Sequence, residues 1–345
     1  MNNGPVYQKR GVKWRRVFAA ISLLVIVVIL RACFLRPGTN YPGSHFNHGH
    51  NAAWLGVEWN MEPHTTAEVT ALAADLRQRQ IDTIFVYVSY LKPAGIFNPT
   101  YDYARDFVAA FKQAAPQIEV QGWLGIPVKV PPGTPMASGY VELSDPATQK
   151  TIIDFSRSVV QDLGFDGVHL DVEPVLSGNE DLLRILDEVR SAIGLKAHLS
   201  IAGREITPLL PEADLVFNHW FTWRGDYYRE VARRVDQIAV MAYDSHAPAA
   251  WWYEQWLRHQ VVDLSGSLKD TAARIYMGIS TSKEKSSSHD PSIENMGSGL
   301  RGVLSGLNDA DTQLGKISGV AIYPHWETTD DEWQTYKAIW LGQTE

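Results

Sequence analysis

The segment Asp166-Gly-Val-His-Leu-Asp-Val-Glu173 carries two carboxylates, Asp171 and Glu173, separated by a single valine. If the segment is a β-strand, residues two apart share a face. Gly167, His169, Asp171 and Glu173 then point one way, and Val168, Leu170 and Val172 the other. Three ionisable groups in a row on an inward face are costly unless they are paired or used. A carboxyl beside a second carboxyl in a partly dry site tends to keep its proton, and one of the two can then act as a general acid near neutral pH. Such an acid protonates the leaving oxygen in glycosidic bond cleavage. The plainer reading is a strand that ends in solvated acids.

Glycosidases that use two enzymic carboxylates set them about 5 Å or more apart across the sugar. Two acids adjacent on one strand fit better with substrate-assisted cleavage. There a 2-acetamido oxygen attacks the anomeric carbon, Glu173 acts as acid and then base, and Asp171 orients the acetamide and stabilises the charge on its nitrogen. A second candidate segment is Val240-Met-Ala-Tyr-Asp244. Met241 and Tyr243 share a face, so the Tyr243 hydroxyl can donate to the acetamide oxygen, although a core tyrosine ending a strand is common. In Gly319-Val-Ala-Ile-Tyr-Pro-His-Trp326, Tyr323 and His325 are expected inward. Tyr323 can form an aromatic floor under the sugar, with Trp326 a further sugar-binding candidate.

These side chains need a scaffold that gathers strand ends. Short, mostly apolar runs lie near 54–59, 83–90, 118–126, 166–173, 197–202, 237–243, 275–280 and 319–323. Strands covered on both faces read this way. Helical periodicity fits between them. The clearest case is 146–163, with Ser144 or Asp145 as cap, Pro146 in the first turn, an Ile152/Phe155/Val159/Leu163 face and Gly164 at the end. Another spans 179–193, with Leu182, Leu186, Val189 and Ile193 on one side. Eight strand–helix units from residue 52 to 345 predict an α/β fold of the (β/α)8 TIM-barrel type, whose chemistry sits at the C-terminal strand ends. No Gly-rich phosphate loop opens a helix, which argues against an open nucleotide-binding sheet.

Two connections exceed a helix plus turns. One is 203–235, with Asn218, Trp220, Trp223, Tyr227 and Tyr228. The other is 245–272, whose His246, Trp251, Trp252, Tyr253 and Trp256 can wall a sugar cleft or pack a helix. The Ser/Lys/Glu-rich stretch 281–299 is expected to be a mobile loop.

The chain has 345 residues, 45% hydrophobic and 20% charged, with a net charge of -8. That balance and the absence of a basic stripe in the body argue against a nucleic-acid partner. Twelve tryptophans suit a glycan-binding surface, with about half expected in the core. The lone Cys33 excludes an intrachain disulfide and a cysteine metal site. No His-x-His or His-Glu-x-x-His set appears, so neither a metal nor another cofactor is expected.

Residues 1–16 are basic and precede an uncharged run from Val17 to Leu30, which extends to Leu35 if Arg31 snorkels. The expected organisation is a cytoplasmic N-terminus (1–16), a single-pass signal anchor (17–35) holding the protein in the cell membrane, a linker (36–51) and an extracytoplasmic catalytic domain (52–345). A cleaved signal peptide and a lipoprotein ending at Cys33 stay open. His45, His48 and His50 in the linker can bind metal, but a solvated tether without fixed geometry is the simpler reading.

The strand-four and strand-six segments resemble glycoside hydrolase family 18, the chitinase-like barrels. The family pattern Asp-Gly-x-Asp-x-Asp-x-Glu is met by Asp166, Gly167, Asp171 and Glu173, and Met-x-Tyr-Asp by Met241, Tyr243 and Asp244. Gly319 to Tyr323 is a loose counterpart of a last-strand motif ending in tryptophan. The resemblance covers roughly 52–343. It implies retaining, metal-free hydrolysis of an N-acetylglucosamine-containing polymer. Glu173 would be acid/base, Asp171 the acetamide partner, Tyr243 the donor to the acetamide oxygen, and Asp244 a substrate-binding or site-ordering residue. One position departs: the middle aspartate of the pattern is His169 here. A histidine there is expected to partner Asp171 and favour its ionised form, which shifts the pH optimum or marks a member without turnover. Two other functions compete. One is a glycan-binding barrel without catalysis. The other is a barrel glycosidase with two separated acids, Glu58 on strand one being the second.

Overall fold

The computed structural model describes residues 38–130, 138–206 and 222–343, together with Ser22. Eight parallel strands close into a barrel in sequence order. They are β1 Asn51–Leu55, β2 Ile81–Tyr90, β3 Glu119–Pro127, β4 Gly167–Glu173, β5 His198–Gly203, β6 Gln237–Val240, β7 Arg274–Ser280 and β8 Ile317–Tyr323. The circle shuts where Ala52 and Ala53 of β1 pair with Ala321 and Ile322 of β8. The α-helices of the domain include α1 Gly43–Phe46, α2 Glu58–Met61, α3 Thr66–Gln78, α4 Ala104–Ala114, α5 Pro146–Gln161, α6 Glu180–Ile193, α7 Gly225–Ala232, α8 Ala250–Ser267, α9 Met296–Leu307 and α10 Asp330–Tyr336.

Local chemistry sets the element ends. Asp145 caps α5 by accepting from the backbone N–H groups of Ala147 and Thr148, with Pro146 in the first turn. Asn179 caps α6 through Leu182 N–H at 2.8 Å, and Gly194 ends it at φ = +83°. Leu182, Leu186, Val189 and Ile193 are buried as their spacing predicts. Each contributes about 1.5–3 kcal/mol by leaving water. Inside the barrel, small and large side chains alternate. Ala52, Ala239 and Ala321 make room for Trp54, Phe85, Trp123 and Tyr276, so the interior is a packed core rather than a pore.

The structure moves several expected boundaries. The first strand is Asn51–Leu55, not 54–59, and Glu58 opens the short α2 instead of standing on a strand. The sixth strand stops at Val240, so Met241 to Asp244 form an irregular turn at the barrel mouth. The expected cleft wall at 245–272 is mostly α8, where Tyr253 and Trp256 are buried against the barrel while Trp251 stays exposed. The stretch 281–299 is a pinned loop running into α9, in which His289 and Glu294 are buried. Asn218 and Trp220 lie outside the described residues, as does the expected anchor at 17–35 apart from Ser22. Among the described residues no helix is long and apolar enough to cross a membrane.

The expected linker is also corrected. From Tyr41 on, the chain packs as part of the barrel domain. Tyr41 exchanges hydrogen bonds with Asn308 in both directions, and a Cβ on Gly43 would meet the Ile339 carbonyl oxygen at 2.3 Å. His45 stacks on Tyr41 at 4.0 Å, and His50 Nδ1 lies 2.6 Å from Asp82, so both have fixed geometry. Asn51 is the anchor of this segment. Its buried Oδ1 accepts from Trp340 Nε1 at 2.8 Å and from Val320 N–H at 3.2 Å, and its Nδ2 donates to Asn47 and to the Gln80 carbonyl. Stranding buried donors costs about 1–3 kcal/mol. Asn51→Ala is therefore expected to lower the unfolding free energy by about that amount or more. A urea melt of the domain followed by tryptophan fluorescence measures it.

Candidate active site

The register between neighbouring strands fixes what faces what at the barrel mouth. On β4, His169, Asp171 and Glu173 lie beside Trp123, Gly125 and Pro127 of β3. Backbones approach so closely at Gly167 that a Cβ there would sit 2.1 Å from the His198 carbonyl oxygen. The strand is thus held in one register with its three ionisable groups inward. Above the packed layer opens a cavity of about 180 Å3 lined by Trp54, Trp123, Asp171, Glu173, Ala202, Arg204, Glu205, Met241, Tyr243, Asp244 and Tyr323. Six of the eight predicted site residues are therefore gathered there. A seventh, Trp326, is 46% exposed and lines an adjoining groove with Gly56, Glu58, Tyr87, Trp123 and Tyr323.

His169 is the exception, and it corrects the expectation that it touches substrate or partners Asp171. It is fully buried beneath the cavity, stacked on Phe85 at 3.9 Å. Trp54 Nε1–H donates to its Nε2 at 3.1 Å. An indole nitrogen only donates, so Nε2 must be unprotonated and the ring proton sits on Nδ1. Nδ1–H then donates to Ser200 Oγ at 2.7 Å, and Ser200 donates to Gln121 Oε1 at 2.5 Å. Gln121 Nε2 continues to Gln237 Oε1 and to Glu119 at the bottom of the barrel. Every link has one direction, so His169 is neutral in a single tautomer. Burial agrees, pushing its pKa down to about 3.

Asp171 takes its fixed hydrogen bond from elsewhere. Trp123 Nε1 donates to Oδ2 at 2.9 Å, while Oδ1 is buried with no donor. Burial raises this carboxyl to about 6, against the Trp123 hydrogen bond and the lesser influence of Glu173, which both favour its charge. Glu173 opens onto the cavity, its side chain 37% exposed. Enclosure in the barrel mouth, with Asp171 adding to it, pushes Glu173 up to about 8, and the Arg204 guanidinium opposes the rise from 3.4 Å. Both carboxyls are thus held above their usual range, Glu173 further than Asp171, and they titrate as a pair.

Across the cavity Tyr243 is nearly buried and stacks on Tyr323 at 5.4 Å, 11° from parallel. Gly278 permits this: a Cβ there would lie 3.0 Å from the Tyr243 ring and 2.5 Å from the Val240 carbonyl oxygen. Burial holds the Tyr243 hydroxyl well above its usual pKa, so it stays a donor. Tyr323 also meets Trp54, Trp123 and Trp326 edge to face, making one aromatic wall for cavity and groove. His325, expected inward, turns outward towards Arg79, Asp75 and Trp333. Arg204 and Glu205 were not foreseen. They follow β5, paired at 3.2 Å, and two charged residues directly after an apolar strand at the catalytic face were the available signal.

Asp244 stands at the cavity rim beside His289 and Glu294, each offering an oxygen or nitrogen within 4.8 Å of the others. Such a set resembles a metal site, but its donors are already engaged. Both Glu294 oxygens accept N–H groups, from Asp244 at 2.7 Å and Ser245 at 2.9 Å. Burial opposes charge on His289, yet its hydrogen bonds to Asp244 and Glu294 outweigh that and hold it up at about 10.

The His169 geometry predicts a measurable cost. A buried neutral histidine takes up no proton until far below the roughly 6.5 at which an unfolded one does. The unfolded state therefore binds more protons between these values, and stability falls as pH drops from about 6.5 towards 3. His169→Gln keeps an acceptor for Trp54 and a donor for Ser200. It is expected to flatten that part of the acid limb in urea melts taken from pH 7 to pH 4, and an unchanged limb would show that His169 is not its source.

The fold is shared by solved structures of low identity. The chain is similar to the spore cortex-lytic enzyme SleL of Bacillus cereus (TM-score 0.53, 14% identity, 84% of this chain and 74% of that one). It is similar to a Rhizomucor miehei chitinase (0.51, 14%, 84% and 98%). It is also similar to a mutant class V chitinase of Cycas revoluta solved with (GlcNAc)3 (0.53, 11%, 84% and 99%). Comparison with curated protein sequences gave no match. The model of glycosyl hydrolases family 18 matches residues 100–339, well over half of the chain and inclusive of β3 to β8. The chain belongs to glycosyl hydrolases family 18 and is a glycoside hydrolase.

Proposed function

We propose that the protein hydrolyses β-glycosidic bonds in an N-acetylglucosamine-containing glycan, with retention at the anomeric carbon and with the substrate's own acetamide as nucleophile. The observation that carries this reading is Asp171 Oδ1, a buried carboxylate oxygen at the cavity with no donor. An acetamide N–H is the donor such an oxygen lacks. Glu173, beside it on the strand, holds the proton that a leaving oxygen needs.

The steps follow from the placement. The acetamide oxygen bonds to the anomeric carbon as the glycosidic C–O bond breaks, and the Glu173 proton goes to the departing oxygen. Asp171 accepts the acetamide N–H and offsets the positive charge that grows on the cyclised group. Tyr243 O–H donates to the acetamide oxygen and aligns it. Tyr323 stacks beneath the sugar, with Met241 closing the apolar side and Trp326 extending the platform along the groove. Glu173, now ionised, takes a proton from water, whose oxygen bonds to the anomeric carbon and reopens the ring. Two inversions give net retention. Asp171 has no third acid to lean on here, because His169 is committed to Trp54 and Ser200.

The alternative with two separated enzymic acids is less favoured. Glu58 lines the groove, not the cavity that holds Glu173. The N-terminal segment 17–35 is proposed as a membrane anchor that leaves this domain outside the cytoplasm, from its basic flank and apolar length alone.

The domain should be assayed on chromogenic N-acetylglucosamine oligomers. Glu173→Gln is expected to lower kcat about 10²–10⁴-fold, and Asp171→Asn about 10²–10³-fold. A thiazoline mimic of the cyclised acetamide should inhibit. Turnover that survives in Glu173→Gln, or inversion seen by proton NMR of the first product, would overturn the reading, and binding of the oligomers without turnover would leave a lectin. The pH profile gives a second check. Activity needs Asp171 ionised and Glu173 protonated, so kcat/KM should rise as pH passes about 6 and fall as it passes about 8. A rise that continues to pH 9 contradicts the assignment of Glu173 as the acid.

A further inference from the structure

The loop after β7 contains a structured pair, His289 and Glu294, that the catalytic scheme does not use. It packs against the turn after β6. There Asp244 and His246 both have left-handed backbones, at φ = +60° and +55°, and neither is glycine. Such residues are uncommon and hold only where the surroundings over-determine them. The surroundings here are specific. Glu294, 1% exposed, accepts the N–H groups of Asp244 and Ser245 on separate oxygens and the Ser245 hydroxyl at 2.5 Å. His246 N–H donates to the Ser288 carbonyl oxygen at 3.0 Å. The His246 ring adds a contact from Nδ1 to the Ser287 carbonyl oxygen, also at 3.0 Å.

His289 completes the arrangement. Its Nδ1 lies 3.0 Å from Glu294 Oε2 and 3.3 Å from Asp244 Oδ1, and its Nε2 lies 3.4 Å from the Ser282 carbonyl oxygen. The partners of both ring nitrogens are acceptors, two of them carboxylates, and these hold the ring up at about 10, which favours the imidazolium.

We propose that His289 and Glu294 are positioning residues for the glycosidase reaction: Glu294 fixes the left-handed turn, and the His289 cation draws the Asp244 carboxylate into the cavity rim. The Asp244 side chain is 53% exposed and would otherwise sample solvent. The same turn carries Tyr243, whose neighbour Ala242 is held from below by the Tyr253 hydroxyl at 2.8 Å. A shift of the turn moves both residues that meet the substrate from this side. Small misplacements of this kind cost up to about 10²-fold in rate. The inference rests on the function proposed above, and its test separates the two.

His289→Gln, Glu294→Gln, Asp244→Ala and the double variant His289→Gln/Asp244→Ala should be compared in the full chain on the same chromogenic oligomers, with Glu173→Gln as the control for the reaction itself. His289→Gln is expected to lower kcat/KM about 10–100-fold. In the Asp244→Ala background the same change should cost less than about twofold, because the residue it positions is gone. Equal fold-losses in both backgrounds would overturn the proposal, leaving His289 as loop support only. An active Glu173→Gln would sink the reaction scheme instead. Nitrogen NMR of the native protein gives a readout free of activity and of variant folding. Both His289 ring nitrogens should be protonated at pH 8, and a neutral ring there would equally overturn the inference.

Discussion

Two carboxyl groups on consecutive inward positions of one strand, at the mouth of a closed barrel, set the terms for everything around them. Enclosure penalises the charge of both, and Asp171 penalises the charge of Glu173 further, so Glu173 is the one pushed up the more. What remains is a buried oxygen on Asp171 without a donor. In the proposed reaction that oxygen takes the acetamide N–H of the substrate. Around it, Trp123 holds the other oxygen, Tyr243 offers a hydroxyl, and Tyr323 an aromatic surface.

The two buried histidines near the site show how partners, not residue type, decide charge. His169 faces a donor, the Trp54 indole, and is neutral. His289 faces only acceptors and is a cation. His169 lies where the family pattern has an acid. There it joins a one-way chain of hydrogen bonds from Trp54 through Ser200 and Gln121 to Gln237 and Glu119. That chain links satisfied polar groups through the barrel floor down to the Glu119 carboxyl. His169 thus adds no group to the cavity lining.

The rim is assembled from loops distant in sequence. Asp244 after β6 is held by Glu294 before α9, and Arg204 after β5 faces Glu173 at the end of β4. Parallel strands bring their C-terminal ends to one face, so loops far apart in the chain become neighbours there. In a barrel of this kind that face is where the short connections after the strands converge.

The amino-acid sequence by itself determined the barrel, because eight apolar runs alternating with capped, amphipathic helices admit few other architectures. It also determined the inward face of β4, since a period of two leaves no choice once one side is Val168, Leu170 and Val172. The cap Asp145 and the first-turn Pro146 of α5 were legible for the same local reason. What only the tertiary structure decided depends on partners that no local pattern reveals. The charge of His169 follows from an indole 115 positions away, and the pinning of Asp244 from a glutamate 50 positions on. The stretch 281–299 has the composition of a loose loop, yet its buried His289 and Glu294 tie it down. Asn51 reads as the end of a linker until the Trp340 indole, 289 positions later, is found donating to it. Spacing along the chain fixes faces and ends of elements, whereas charge state and anchoring belong to contacts that exist only once the barrel has closed.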